Sequence, residues 1–235
     1  LTDGLGGYWS FNAPDMLGNI VYDRSGKNFN YTLTGGGPVR AIGRIGQGVK
    51  FTTPHNYSVV GSGGNPQNIF ANGGTFAAWI YPIDHGASDF GRIADKDHGL
   101  AGGGWLLFMC GPAQPTTCGS GNRLRFTQDF GVGTTNGAWN SPLDSISLKD
   151  WNHVAVVYDK SSTANDPAFY VNGAAVAATE TTAPSGTADP DGTDNLWFGN
   201  NEALDRDFNG VMDEVRAYNR ALSADEIRRL YNLGR

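Results

Sequence analysis

Charge and cysteine are both scarce in this 235-residue sequence. Asp, Glu, Lys and Arg together make up 17% of it, and it has only 2 cysteines and 3 methionines. No apolar run approaches the roughly 18 residues of a membrane span, so no membrane helix is expected. The 34 glycines follow no Gly-X-Y period, which excludes a collagen-like chain. Basic residues number 17 against 23 acidic ones, a net charge of -6, which argues against nucleic acid or an anionic membrane as partner. The 4 histidines lack zinc-ligand spacing, and neither an EF-hand pattern nor a Gly-x-Ser-x-Gly elbow occurs. The chain opens at Leu1 without a signal-peptide pattern and reads as a mature chain or a domain of a longer one.

What is present suits short strands. Hydrophobic residues reach 39% and aromatics 11%, with 6 tryptophans, enough to build a core. Strand-like runs recur between Gly, Pro, Asn and Asp turns, at 7–12, 49–51, 57–60, 75–81, 92–96, 105–109, 124–128, 152–158, 168–171, 174–178, 196–198 and 211–219. Val171-Asn172-Gly173-Ala174 is a hairpin signal, because Asn-Gly tolerates positive φ at both central positions of a type I′ turn. Strands do not alternate with helices, and no long linker divides the chain. The expectation is one all-β domain over 1–235, a two-sheet antiparallel sandwich. The end differs: Ser223 and Glu226 have capping-box spacing, and Ile227, Leu230 and Tyr231 form one apolar stripe. A short C-terminal helix should clip onto the sandwich there. The stretches 61–72, 110–122 and 179–195 read as loops.

Cys110 and Cys118 are too far apart for CxxC redox chemistry, and two thiols make a poor zinc site. A small surface disulfide is expected, with two unpaired thiols as the alternative. A disulfide implies an oxidising, extracellular setting. Asn30-Tyr31-Thr32 and Asn56-Tyr57-Ser58 match the glycosylation triplet, a pattern that also arises by chance.

Five stretches carry a family resemblance. They are Gly6-Gly7-Tyr8-Trp9-Ser10-Phe11 followed by Asp23-Arg24-Ser25-Gly26-Lys27-Asn28, then Thr75 to Pro82, Trp151 to Asp159, Phe169 to Gly173, and Phe208 to Ser223. In this order they resemble a LamG-like (laminin G-type, concanavalin A-like lectin/glucanase) jelly-roll domain along the whole chain. The resemblance implies a structural calcium near the junction of the first and last strands, held by Asp23, Asn28 and Asp213. Calcium takes six to eight oxygen ligands, often carboxylates mixed with carbonyls. Asp213 stays open to three readings: it faces solvent, it pairs with Arg216 or Arg40, or it binds calcium. The family often has Asp-Gly after Phe51, whereas this chain has Thr52-Thr53-Pro54-His55-Asn56, so no acidic role is expected there.

Some jelly rolls of this superfamily hydrolyse polysaccharides with two carboxylates on one strand. Side chains two apart share a strand face. Asp95 and Asp97 come closest here, but Gly99 draws Asp97 into a turn. Adjacent Asp213 and Glu214 should point to opposite faces, and no catalytic residue is expected. Sugar recognition instead combines aromatic platforms with hydrogen-bonding side chains. Trp105, after Gly102-Gly103-Gly104, and Trp139 lie at loop edges, where they serve as sugar platforms or cap the core. Arg92, Asp95, Lys96 and His98, beside Arg125 and Gln128, line a concave face or form a solvated strand face. Trp9, Trp79 and Trp151 fall on core positions of the family, and Trp197 and His153 also read as core. The expected function is a non-catalytic, extracellular carbohydrate-binding module, part of a larger secreted protein. Its partner would be a polysaccharide or other glycan, together with other domains of the same polypeptide. The alternative is a protein–protein adhesion or spacer module without a sugar site, with a glycoside hydrolase or polysaccharide lyase behind it.

Overall fold

The computed structural model describes residues 1–35, 39–52, 58–61, 63, 65–96, 104–131 and 135–235. Thr53, Pro54, His55, Asn56, Tyr57, Asp97, His98, Gly99, Gly102 and Gly103 lie outside the described residues. In chain order the strands are β1 Leu5–Trp9, β2 Met16–Leu17, β3 Ile20–Val21, β4 Tyr31–Thr34, β5 Val39–Ile42, β6 Gln47–Phe51, β7 Ser58–Gly61, β8 Gly74–Pro82 and β9 Arg92–Asp95. They continue with β10 Trp105–Cys110, β11 Arg123–Gln128, β12 Gly137–Asn140, β13 Asn152–Tyr158, β14 Ala168–Val171, β15 Ala174–Val176, β16 Thr179–Thr182, β17 Trp197–Phe198 and β18 Gly210–Tyr218. Two helices accompany them, α1 Pro115–Cys118 and α2 Ala224–Leu233.

The strands form two antiparallel sheets. One has eight strands in the order β15-β14-β13-β8-β18-β6-β5, with β1 also paired to β18. The other has ten, in the order β16-β12-β11-β10-β9-β17-β7-β4-β3-β2. Their inner faces meet over one aromatic-rich core. Trp9 contacts Tyr31 and Phe198, Phe70 and Phe76 pack on Trp105, and Phe126 and Tyr158 flank Trp139. Two of these tryptophans follow a glycine by two residues on the same strand face. A Cβ on Gly7 would come within 2.3 Å of the Trp9 ring, and one on Gly137 within 2.2 Å of the Trp139 ring. The indoles therefore lie flat over their own strands, which only glycine permits there.

The strands missed by pattern alone are β2 to β5, β12 and β16, the last inside the stretch 179–195 read as a loop. They have two to four residues each, too few for alternation to show, and β12 begins on Gly137 and ends on Asn140 like a turn. The hairpin at Asn172-Gly173 has φ of 51° and 78°, as a type I′ turn requires. Helix α2 starts in a full capping box: Ser223 accepts from the Glu226 amide, and Glu226 accepts from the Ser223 amide. Ile227 and Leu230 bury the apolar stripe of α2 against Ala77, Ala155, Tyr170 and Tyr218 on the outer face of the eight-stranded sheet. Tyr231 stacks on Trp79 at 5.5 Å, and Arg44 lies over the same indole at 4.8 Å.

Cys110 and Cys118 form a disulfide, with Cα atoms 5.3 Å apart. It closes the segment that carries α1 and packs with Phe108. The segment from β16 to β17, read as a loop, is tied down from below. Lys96 Nζ donates to the Asp194 carbonyl at 2.7 Å, and Lys160 Nζ to the Asp189 carbonyl at 2.7 Å. Asn68 and Asp191 exchange two further bonds: the Asn68 amide donates to Asp191 Oδ1 at 2.5 Å, and the Asp191 amide to Asn68 Oδ1 at 2.9 Å.

Lys96 is fully buried, and burial lowers it from the usual 10.5 to about 8 despite Asp191 and Asp194. Lys160 is lowered by burial as well. The unfolded chain therefore binds more protons than the folded one between about pH 8 and 10.5, so stability rises with pH in that window. Above about pH 10, tyrosines held protonated by burial, Tyr8 and Tyr158 among them, reverse the trend. Urea midpoints at pH 7.5 and 9.5 test this. The higher pH should give the higher midpoint in the unmodified protein, and Lys96→Met should shrink the difference. A midpoint that falls over this interval contradicts the assignment.

Candidate functional site

Helix α2 leaves the outer face of the ten-stranded sheet free, and α1 with its disulfide covers the part of it around Phe108 and Arg125. Helix α2 occupies the outer face of the eight-stranded sheet. On the outer face of the ten-stranded sheet, the register builds two rows, because residues directly opposite in antiparallel strands share a face. Trp197, Asp95, Leu106, Thr127 and Ala138 form the first row across β17, β9, β10, β11 and β12. Arg92, Phe108, Arg125 and Asn140 form the second.

Trp197 is half-buried, so part of its indole faces solvent. Its strand neighbours Leu196 and Phe198 are both fully buried, which turns the residue between them outward. Beside it, Arg92 Nε donates to Asp95 Oδ2 at 2.9 Å. The Arg92 guanidinium lies 4.5 Å over the Phe108 ring and also donates to the Phe90 carbonyl at 3.1 Å. Arg125 is held by three neutral acceptors of its Nη1: the Thr117 carbonyl, Asn140 Oδ1 and Thr181 Oγ1, at 3.3, 2.9 and 3.0 Å. The disulfide-closed segment is thereby fastened to the sheet, since Asn140 Nδ2 also donates to the Thr117 carbonyl at 3.0 Å. The face thus carries one partly exposed indole over a buried carboxylate–guanidinium pair, with a second, mostly buried guanidinium beside them.

Arg92, Asp95 and Arg125 are brought together as expected. Trp105 and Trp139 are not part of this face. They are 1% and 0% exposed, and both point inward, so neither is a sugar platform. The alternation of β10 and β12 sends them into the core, where Trp139 Nε1 donates to Asp166 Oδ1 at 2.7 Å. Gln128 is likewise on the inner side, donating to the Gly104 and Asp129 carbonyls. The aromatic residue that sequence reasoning assigned to the core, Trp197, is the one on the open face. The signal for it was the flanking pair Leu196 and Phe198, whose shared face leaves Trp197 the other. Trp9 and Trp79 are buried, whereas Trp151 is half-buried with its ring edge-on to Tyr81 at 5.6 Å. His153 is buried, and burial lowers it to about 3, so it stays neutral.

The residues expected to hold calcium do not fit the ion. The Asp23 carboxylate already accepts four hydrogen bonds. Oδ1 takes the Tyr8 and Ser25 amides at 2.9 and 2.8 Å, and Oδ2 takes Ser25 Oγ and the Phe29 amide at 2.6 and 3.1 Å. A carboxylate ringed by donors is an anion used to close a turn. Asn28 is exposed, at φ 61°. Asp213 is fully buried, and its Oδ2 accepts from the Ile45 amide at 2.8 Å. Burial raises Asp213 to about 7, which disfavours the charged form calcium needs. None of the other readings of Asp213 holds either. It is not solvent-facing, Arg216 binds Glu214 at 2.6 Å, and Arg40 donates to the Met16 carbonyl. Among the described residues, no three His, Cys, Asp or Glu side chains are grouped to hold a metal.

Asp213 and Glu214 do not point to opposite faces. A bulge at Glu214, with φ 55°, brings Glu214 to Tyr8 Oη and Arg216 on the side that carries Asp213. Both are buried, at 0% and 3% exposure, so neither reaches a polysaccharide.

Asp23→Ala should cost about 2 to 3 kcal/mol, because the Tyr8 and Phe29 amides lose a charged acceptor. The loss should be equal in EDTA and in millimolar calcium when read by thermal melts. A loss seen only with calcium would restore the metal.

No curated protein matches this sequence. Several solved structures share its fold. The binding domain of Paraclostridial Mosquitocidal Protein 1 matches with TM-score 0.67 and 17% identity over 99% of this chain and 52% of that one. Domain 4 of AbnA, a GH43 extracellular arabinanase from Geobacillus stearothermophilus, in complex with arabinotriose, matches with TM-score 0.63 and 20% identity over 97% and 98%. The binding domain of Botulinum Neurotoxin DC in complex with SialylT matches with TM-score 0.67 and 14% identity over 100% and 52%. The chain therefore spans about half the length of the toxin binding domains it matches, and nearly all of the arabinanase domain. A Laminin_G_3 family model matches residues 54–228, well over half of the chain, and the chain belongs to the concanavalin A-like lectin/glucanases superfamily.

Proposed function

We propose that this chain is a non-catalytic, extracellular carbohydrate-binding module, and that its glycan lies across the outer face of the ten-stranded sheet. The observation that carries this reading is the half-exposed Trp197 directly beside the Asp95–Arg92 pair. An indole offers a flat apolar surface to the C–H face of a sugar ring. The Asp95–Arg92 pair, with Asp95 3% exposed, lies beneath this surface and stiffens it. Rigid strands fix both groups, so little ordering cost falls on binding.

The similar structures support this reading: one is in complex with arabinotriose and another with SialylT. The disulfide supports an extracellular setting. A catalytic role has no carboxylate pair behind it on this face among the described residues, since Asp95 is committed to Arg92. Calcium has no part in the proposal, because Asp23 is already satisfied by its four donors.

Affinity electrophoresis against a polysaccharide panel tests the reading. Trp197→Ala should weaken glycan retention about 30-fold, the equivalent of about 2 kcal/mol for a central aromatic contact. Its melting temperature should stay near that of the unmodified protein. Trp139→Ala should instead lose about 3 to 5 kcal/mol of stability, as expected for a fully buried indole. Unchanged retention by Trp197→Ala would overturn this site.

A further inference from the structure

Among the described residues, two guanidinium groups on this face have no carboxylate within ion-pair distance. Arg123 and Arg125 are two apart on β11, so their side chains emerge on one side of the sheet. Arg24, Arg92, Arg206, Arg216, Arg220 and Arg228 each hold a carboxylate. Arg125 is the more buried of the β11 pair, at 9% exposure, yet its hydrogen bonds go to two oxygens of uncharged side chains and one carbonyl. Its Nε and Nη2 have no acceptor among the described residues. Arg123 is half-buried, and its Nε is a buried donor without a hydrogen-bond partner.

A buried positive charge without a counter-charge is costly. Burial and the neighbouring Arg123 both lower Arg125 from its usual value. Burial lowers Arg123 too, offset only by the field of Asp144. A planar fork of N–H groups matches the oxygens of a carboxylate or sulfate, and Arg125 still has such an edge free. The overall charge of -6 gives no general attraction for acidic ligands, so any preference for them must arise locally.

We infer that the glycan taken by this face is acidic, with a carboxylate or sulfate group against the Arg123–Arg125 pair and a sugar ring on Trp197. This inference rests on the carbohydrate-binding reading and narrows it. Strands β17, β9, β10 and β11 are consecutive, so Trp197 and Arg125 are three strand spacings and one two-residue step apart, roughly 16 Å. The charged group therefore belongs to a different sugar unit from the one on Trp197, and the ligand is an oligosaccharide.

Isothermal titration calorimetry of the full chain tests this with three probes of equal length: oligogalacturonate, a chondroitin sulfate oligosaccharide and a neutral arabino-oligosaccharide. At least one acidic probe should bind about tenfold or more tighter than the neutral one, and its advantage should shrink when NaCl rises from about 50 to 500 mM. Which acidic probe wins distinguishes carboxylate from sulfate. Arg125→Gln should remove the advantage. Because Arg125 also fastens the Thr117 segment, Arg123→Gln and the salt series on the unmodified protein provide independent readouts. If the neutral probe binds as tightly as both acidic ones, and Trp197→Ala abolishes that binding, the acidic preference falls and the carbohydrate reading stands. If no probe binds, both fall.

Discussion

The placement of Trp197 on the open face depends on how the chain returns from β16 to β17, and two buried ammonium groups fix that return. Lys96 and Lys160 each donate to a backbone carbonyl of the segment, at Asp194 and Asp189. Such bonds, far from bulk water, hold the backbone more firmly than exposed ones. Lys96 directly follows Asp95, whose carboxylate faces the opposite side of the same strand. The end of β9 and the residue after it therefore supply both the acid paired with Arg92 and the anchor that keeps Trp197 in register beside it. The cost is a charge carried into the interior, which the sandwich tolerates because Asp191 and Asp194 lie close by.

The long elements were legible because each had a repeating or local cause. Strands β8, β13 and β18 are long runs of apolar residues flanked by turns. The capping box of α2 and the Asn172-Gly173 hairpin are set by neighbours in sequence. The short strands β2 to β5 carried no comparable signal. They persist because partners across the sheet complete their hydrogen bonds, a condition that does not appear in a single segment. Nothing in the sequence around Asp23 signalled that four donors from Tyr8, Ser25 and Phe29 would close on it.

The site was half legible, for a reason that lies in period two. Arg92, Asp95 and Arg125 fall on one face because their strand neighbours Ile93, Ala94, Leu124 and Phe126 fill the core. Tryptophan suits either face, and its neighbours decide. Trp139 has Gly137 two residues before it, and the indole folds down onto that glycine inside the core. Trp197 has Leu196 and Phe198 on either side, and those two fill the core in its place. The bulge at Glu214 shows the same dependence from the other direction: one residue at positive φ reverses the facing that simple alternation assigns.

The covered sheet has one more consequence, and it concerns orientation. Helix α2 lies across the outer face of the eight-stranded sheet, and Leu1 is fastened to that side through the Tyr218 hydroxyl. Both ends of the chain therefore sit behind the core, with Trp197 and the arginines on the far side. Any polypeptide joined at either end would attach to the back of the module and leave its front clear, like a handle set opposite a blade.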